Sequence, residues 1–168
     1  MNPLYAIKGL KQWQGMDGSG CHGEVTGPDG ICCSFRDDGN GGGMWTEAPY
    51  DHKTKTHNHD AFNAFKVWAN AHPILAITWE QWGFTPGGLH QGQVIEWLLV
   101  EDAVAKEVKK GYLCYQEGDD PYSYCGAKQG RKKMKHTTEN VAWLKGQLPN
   151  CIVRNEETPS WITEEVSA

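Results

Sequence analysis

The sequence predicts an α+β fold, and three observations carry that expectation. Period-two runs bounded by turn residues sit toward the two ends of the chain. Two segments of helical period lie between them. The 20 glycines and 8 prolines among 168 residues break the backbone too often for a helical bundle. The net charge of −5 is modest, and 8 tryptophans and 6 tyrosines supply apolar area, so the composition is that of a folded chain. Length favours one α+β domain, placed at 1–155, followed by an acidic tail, 156–168, expected to be mobile.

An N-terminal antiparallel meander of three strands comes first. Residues 4–14, LYAIKGLKQWQ, show no helical stripe and include Gly9, which costs a helix about 1 kcal/mol relative to Ala, so they read as a strand. CHGEVTG (21–27) and ICCSFRDD (31–38) flank Pro28-Asp29-Gly30, which supplies the turn dihedrals of a hairpin. Within such a strand Cys32 and Cys33 point to opposite faces and make a poor chelate. Four glycines between Asp38 and Gly43 end the hairpin, and 44–60 reads as an irregular polar connection.

From Asp60 the period changes. Asp60 is the expected N-cap of a helix carrying Phe62, Phe65, Ala69 and His72, which Pro73 stops. Residues 74–92 read as irregular and carry Trp79, Trp82 and Phe84. A second helix over 93–111 aligns Val94, Ile95, Leu98, Val104, Ala105 and Val108, with Lys109 and Lys110 near its C-terminal dipole and Gly111 as cap. Both helices are expected to pack on the meander. Period two returns in YLCYQ (112–116) and YSYCGAK (122–128), a C-terminal hairpin that joins or flanks the first sheet. A short helix capped by Thr137 or Thr138 carries Val141, Trp143 and Leu144 and closes at Pro149, and Cys151-Ile152-Val153 reads as an edge strand.

No run of 18 apolar residues occurs, which excludes a membrane-spanning helix from the sequence pattern. The N-terminal residues lack a basic segment, an apolar stretch and a small-residue cleavage site, so the expected location is the cytosol, with the six cysteines as free, partly buried thiols.

Four stretches are candidates for chemistry. Asp38, Gly39, Gly41 and Gly42 lie where successive backbone N–H groups can cradle a phosphate, against which stands a simple tight bend. No Lys-Ser/Thr follows the last glycine as a phosphate loop requires. His57 and His59, with His52, Asp51 and Asp60 nearby, have a spacing that chelates a metal from an extended strand. A metal-free loop is the expectation, with those two histidines as the ligands if any metal binds. Lys128, Arg131, Lys132, Lys133 and Lys135 put five cations in nine residues, suited to phosphates, to an acidic partner, or to a solvated loop. Trp82, beside Gly83, is a natural interface anchor or stacking platform if it is exposed. No Ser/His/Asp or Cys/His set has local support.

The segment from Cys21 to Gly43, two strands around an Asp-Gly turn followed by Asp-Asp-Gly-Asn-Gly-Gly, resembles the opening of small uncharacterised proteins from bacteriophages and prophages. TENVAWLKGQLPNCIVRNE resembles their close. The resemblance implies a phage accessory protein acting in the host cytosol, with no assigned chemistry. The first functional expectation is therefore a non-enzymatic inhibitor or modulator of a host macromolecule, for instance an anti-defence factor of the anti-CRISPR type. The second is a nucleic-acid or nucleotide-binding protein using the basic 128–136 stretch, and the third a metal-dependent hydrolase on the histidines. The expected partners are a host protein or nucleoprotein complex, with nucleic acid and self-association as options, and neither a cofactor nor a membrane.

Overall fold

The computed structural model describes residues 4–16, 18–41, 43–75, 90–117 and 120–159. It is an α+β protein with two compact units, Met1–Leu98 and Leu99–Ala168. The acidic tail lies mostly outside the described residues.

The first unit is built on a four-stranded antiparallel sheet in the order β1-β2-β3-β4, with β1 at Ala6–Gln14, β2 at Ser19–Gly27, β3 at Gly30–Asp37 and β4 at Trp45–Glu47. The register of β1 against β2 shifts between Lys8 and Lys11, where Gly9 adopts φ 63°. This is a bulge that needs a residue without a Cβ. The β2–β3 hairpin turns through Pro28 and Asp29, as the sequence predicts, with Gly30 at φ 104°. Gly20 and Gly27 on β2 leave room for the rings of Trp13 and Tyr5, into which any Cβ would collide.

Three expectations are corrected here. Cys32 and Cys33 are both buried rather than on opposite faces, because Val25 pairs with Cys33 and Thr26 with Ile31, leaving Cys32 as the extra residue of a bulge that breaks the alternation. The 44–60 connection is not wholly irregular: β4 pairs with β3, and Tyr50–Asp51 (β5) pairs with Thr56–His57 (β6). These strands are two or three residues long, too short for a period to show. The N-cap of α1, His59–Asn70, is Asn58, whose side chain accepts from the Ala61 amide at 3.1 Å; Asp60 lies in the first turn instead, where it favours the helix dipole.

Helix α1 packs on β3 through Phe65 and Ala69. Tyr5, Phe65, Trp68, His72 and Trp97 continue as a chain of ring contacts with centroids 4.5 to 6.0 Å apart. His72 is buried within it, its Nδ1 accepting from the Ile74 amide at 3.3 Å, and burial pushes its pKa down to about 4.

Helix α2, His90–Lys109, contributes residues to both units. Val94, Ile95, Leu98 and Val104 are buried as expected, but Ala105 is exposed and Glu107 is buried, because the carboxylate has cationic partners. Gly111, at φ 73°, closes the helix: its amide reaches Val108 O at 2.8 Å and the Tyr112 amide reaches Glu107 O at 3.1 Å, a Schellman arrangement.

In the second unit, Cys114–Glu117 (β7) lies between Cys151–Val153 (β11) and Cys125–Gly126 (β8) in an antiparallel sheet of order β11-β7-β8. The C-terminal strands thus form their own sheet and do not join the first, as β7 finds its second neighbour in β11. Helix α3, Thr138–Gln147, is capped by Thr137, and Leu144 joins Leu113, Ala127, Met134, Cys151 and Val153 in the core, while Trp143 stays exposed. Gln116, fully buried, donates to Asp120 O and Ser123 O at 3.1 and 2.7 Å and accepts from Arg154 Nη1 at 2.6 Å. Arg154 Nη2 meets Glu101 Oε2 at 2.5 Å, with only 5% of the Arg154 side chain exposed. The Asn155 side chain accepts from the Cys114 amide and donates to Tyr112 O, at 2.8 and 2.9 Å.

Candidate functional site

The basic stretch is the candidate that the fold develops. It is not an unstructured loop: Lys128–Gln129 (β9) and Lys132–Lys133 (β10) form a hairpin, Lys128 opposite Lys133 and Gln129 opposite Lys132, with Gly130 in the turn at φ 62°. Directly opposed residues share a face. Lys128 and Lys133 therefore lie on one side of the hairpin, Lys132 on the other, and Arg131 at the turn.

The five cations divide by partner. Lys133 Nζ binds Glu107 Oε2 at 2.5 Å, and Lys110 Nζ approaches the other oxygen at 3.4 Å. The Lys133 hydrogen bond holds the Glu107 carboxyl below the usual range and raises Lys133 in return. Lys135 donates to Lys110 O at 3.1 Å and stands 4.1 Å from the centre of the Tyr112 ring. The side chains of Lys128, Arg131 and Lys132 are exposed and have no hydrogen-bond or ion-pair partner among the described residues.

Next to the hairpin is a surface cavity of about 580 Å³ lined by Glu107, Tyr115, Tyr124, Cys125, Gly126, Lys128 and Lys133. Burial raises the pKa of both tyrosines, which keeps their phenols protonated and able to donate. Cys125 is the exposed cysteine; Cys21, Cys32, Cys33, Cys114 and Cys151 are free and buried. Burial pushes Cys32 up to about 11 and Cys33 up to about 12, so neither is a nucleophile at neutral pH. Sequence reasoning missed Glu107, Tyr115, Tyr124 and Cys125 as site residues. A signal was there in the tyrosines that alternate on either side of the turn-prone sequence Glu-Gly-Asp-Asp-Pro.

The other candidates develop less. In the glycine loop the Gly39 amide donates to Asp37 Oδ1 at 2.8 Å and the Asn40 amide to Asp38 Oδ1 at 2.9 Å, so these two donors are taken by the loop's own carboxylates. Gly39 and Gly41 adopt φ 72° and 78° in a bend, and Gly42 lies outside the described residues. His57 and His59 do not share a strand face as their spacing suggests, because His57 ends β6 and His59 begins α1. Their rings are 5.9 Å apart, and His57 Nδ1 contacts Ala48 O at 2.8 Å. Among the described residues no group of three His, Cys, Asp or Glu side chains gathers around a point that could hold a metal. Trp82 lies outside the described residues. A second cavity, about 440 Å³, runs along β3 and β4 between Arg36, Asp38, Glu47 and Trp45, the last 71% exposed. Among the described residues no helix is long and apolar enough to cross a membrane.

Neither a protein-family model, nor a curated protein, nor a solved structure matches the chain.

Proposed function

We propose that this is a non-enzymatic binding protein that acts on nucleic acid in the bacterial cytosol. Its role follows from the phage resemblance: it inhibits or modulates a host macromolecule that is, or contains, a nucleic acid. The observation that supports this most is the partition of the basic hairpin, in which Lys133 and Lys135 have partners while Lys128, Arg131 and Lys132 are exposed without one among the described residues. Such cations gain most from phosphate, since they lose no existing ion pair on binding.

The test is fluorescence anisotropy with labelled single-stranded and duplex DNA over a salt series from about 50 to 200 mM. Binding is expected to weaken steeply with salt. Lys128→Gln, Arg131→Gln and Lys132→Gln are each expected to reduce the slope of log K against log salt by about 0.7 to 0.9, and Lys133→Gln by less. No binding at the lowest salt, or slopes untouched by these changes, rejects the reading.

A second reading, a host protein as target, is favoured by Trp45, exposed on the edge strand β4 beside Arg36 and Glu47. An exposed tryptophan in a groove is the usual shape of an interface anchor. Loss of host-protein capture with Trp45→Ala and its retention in the hairpin variants supports this second reading.

A further inference from the structure

The geometry points to the cavity beside the β9–β10 hairpin as a site for one nucleoside monophosphate unit, its base against Tyr115 and Tyr124 and its phosphate on Lys128 and Lys133. The inference rests on the nucleic-acid reading for its choice of a nucleotide over other aromatic anions.

Its volume, about 580 Å³, falls within the range that takes small ligands. The wall is chemically divided. Tyr115 and Tyr124 offer half-buried rings with hydroxyl donors, the surface on which bases stack. Lys128 and Lys133 come from opposed positions of the hairpin, so their ammonium groups serve the same side. Glu107 neutralises one of these two charges and holds Lys133 in place, and because an ammonium has three donors, Lys133 keeps capacity for a second acceptor. The two lysines and one carboxylate leave the wall net positive, which suits a phosphate. Free nucleotide and the terminal nucleotide of a strand present this same chemistry.

Isothermal titration calorimetry of the full chain tests the site with adenosine monophosphate, adenosine, inorganic phosphate and a 5′-phosphorylated oligonucleotide. The monophosphate is expected to bind at least tenfold more tightly than adenosine or phosphate alone. Tyr124→Ala and Lys128→Gln are each expected to weaken it tenfold or more, while the Arg131→Gln/Lys132→Gln double variant, outside the cavity, leaves it within twofold. Should Tyr124→Ala unfold, Tyr124→Leu and the exposed Lys128→Gln carry the test. Tighter binding of the 5′-phosphorylated strand than of its unphosphorylated form assigns the site to strand ends, and equal binding of the two strands assigns it to free nucleotide. Absence of monophosphate binding, or binding of inorganic phosphate equally well, overturns the inference. Because the double variant lowers strand affinity without touching the cavity, a failed hairpin and a failed cavity give different patterns.

Discussion

In the loop after β3 the amides of Gly39 and Asn40 are taken by Asp37 and Asp38, whereas in the β9–β10 hairpin Lys128, Arg131 and Lys132 are partnerless among the described residues. Both regions carry groups that suit an anion, but in the loop these two amides are already occupied, while the three hairpin side chains are not. The contrast separates polar groups that hold the structure from polar groups that stay free to bind. Removal of the first kind is felt in stability, and removal of the second in affinity.

The strongest form of that contrast is Arg154, which is almost wholly buried and serves both Glu101 and Gln116. Arg154→Ala leaves a partly buried carboxylate and a buried amide oxygen unpaired, with an expected loss of about 3 kcal/mol in urea unfolding. An unchanged midpoint would show that the pair contributes nothing.

Next is His72. Below its ordinary value of 6.5 the unfolded chain protonates this ring, while the folded chain resists until about pH 4, so stability falls as pH falls through that window. The expected loss is of order 3 kcal/mol across it. His72→Phe should flatten this part of the curve of unfolding free energy against pH, and an unaltered curve would assign the dependence to other groups.

Smaller is the effect at the loop itself. Asp37→Ala frees the Gly39 amide and is expected to cost about 1 kcal/mol, read from the denaturation midpoint. At the other end of the scale, Lys128→Gln, Arg131→Gln and Lys132→Gln are expected to move unfolding by less than about 0.5 kcal/mol each while changing the salt dependence of binding. A large destabilisation from any of the three would place it among the structural groups.

The long strands and helices were legible because their patterns run over many residues. The Pro28-Asp29-Gly30 hairpin and the helix ended by Gly111 rest on local turn or capping chemistry that the sequence states outright, while the sequence narrowed the last helix's cap to Thr137 or Thr138 and the structure places it at Thr137. β4, β5 and β6 were illegible because a strand of two or three residues exists through its partner's hydrogen bonds rather than its own pattern. The bulge at Cys32 defeated strict alternation for the same reason. As for the site, the five cations stood out as a composition, but their division into partnered and free groups depends on Glu107 and Lys110, 26 and 25 residues from Lys133 and Lys135 in sequence. Tyr115 became a neighbour of Tyr124 and Lys128 only through the pairing of β7 with β8.

The strand order β11-β7-β8 also has a consequence for synthesis on the ribosome. Strands β1 to β4 pair with their immediate predecessors, so that sheet can assemble as it emerges. Strand β7 can pair with β8 within a few residues, but β11 follows about 35 residues later, a delay of several seconds at ~5–20 residues per second. During that interval one edge of β7, with the alternating Tyr115 and Gln116, is open to any other extended chain nearby. Crowded polysomes, slow codons in the 118–150 stretch or a shortage of holdase chaperones should therefore lower the yield of this protein through misassembly at β7.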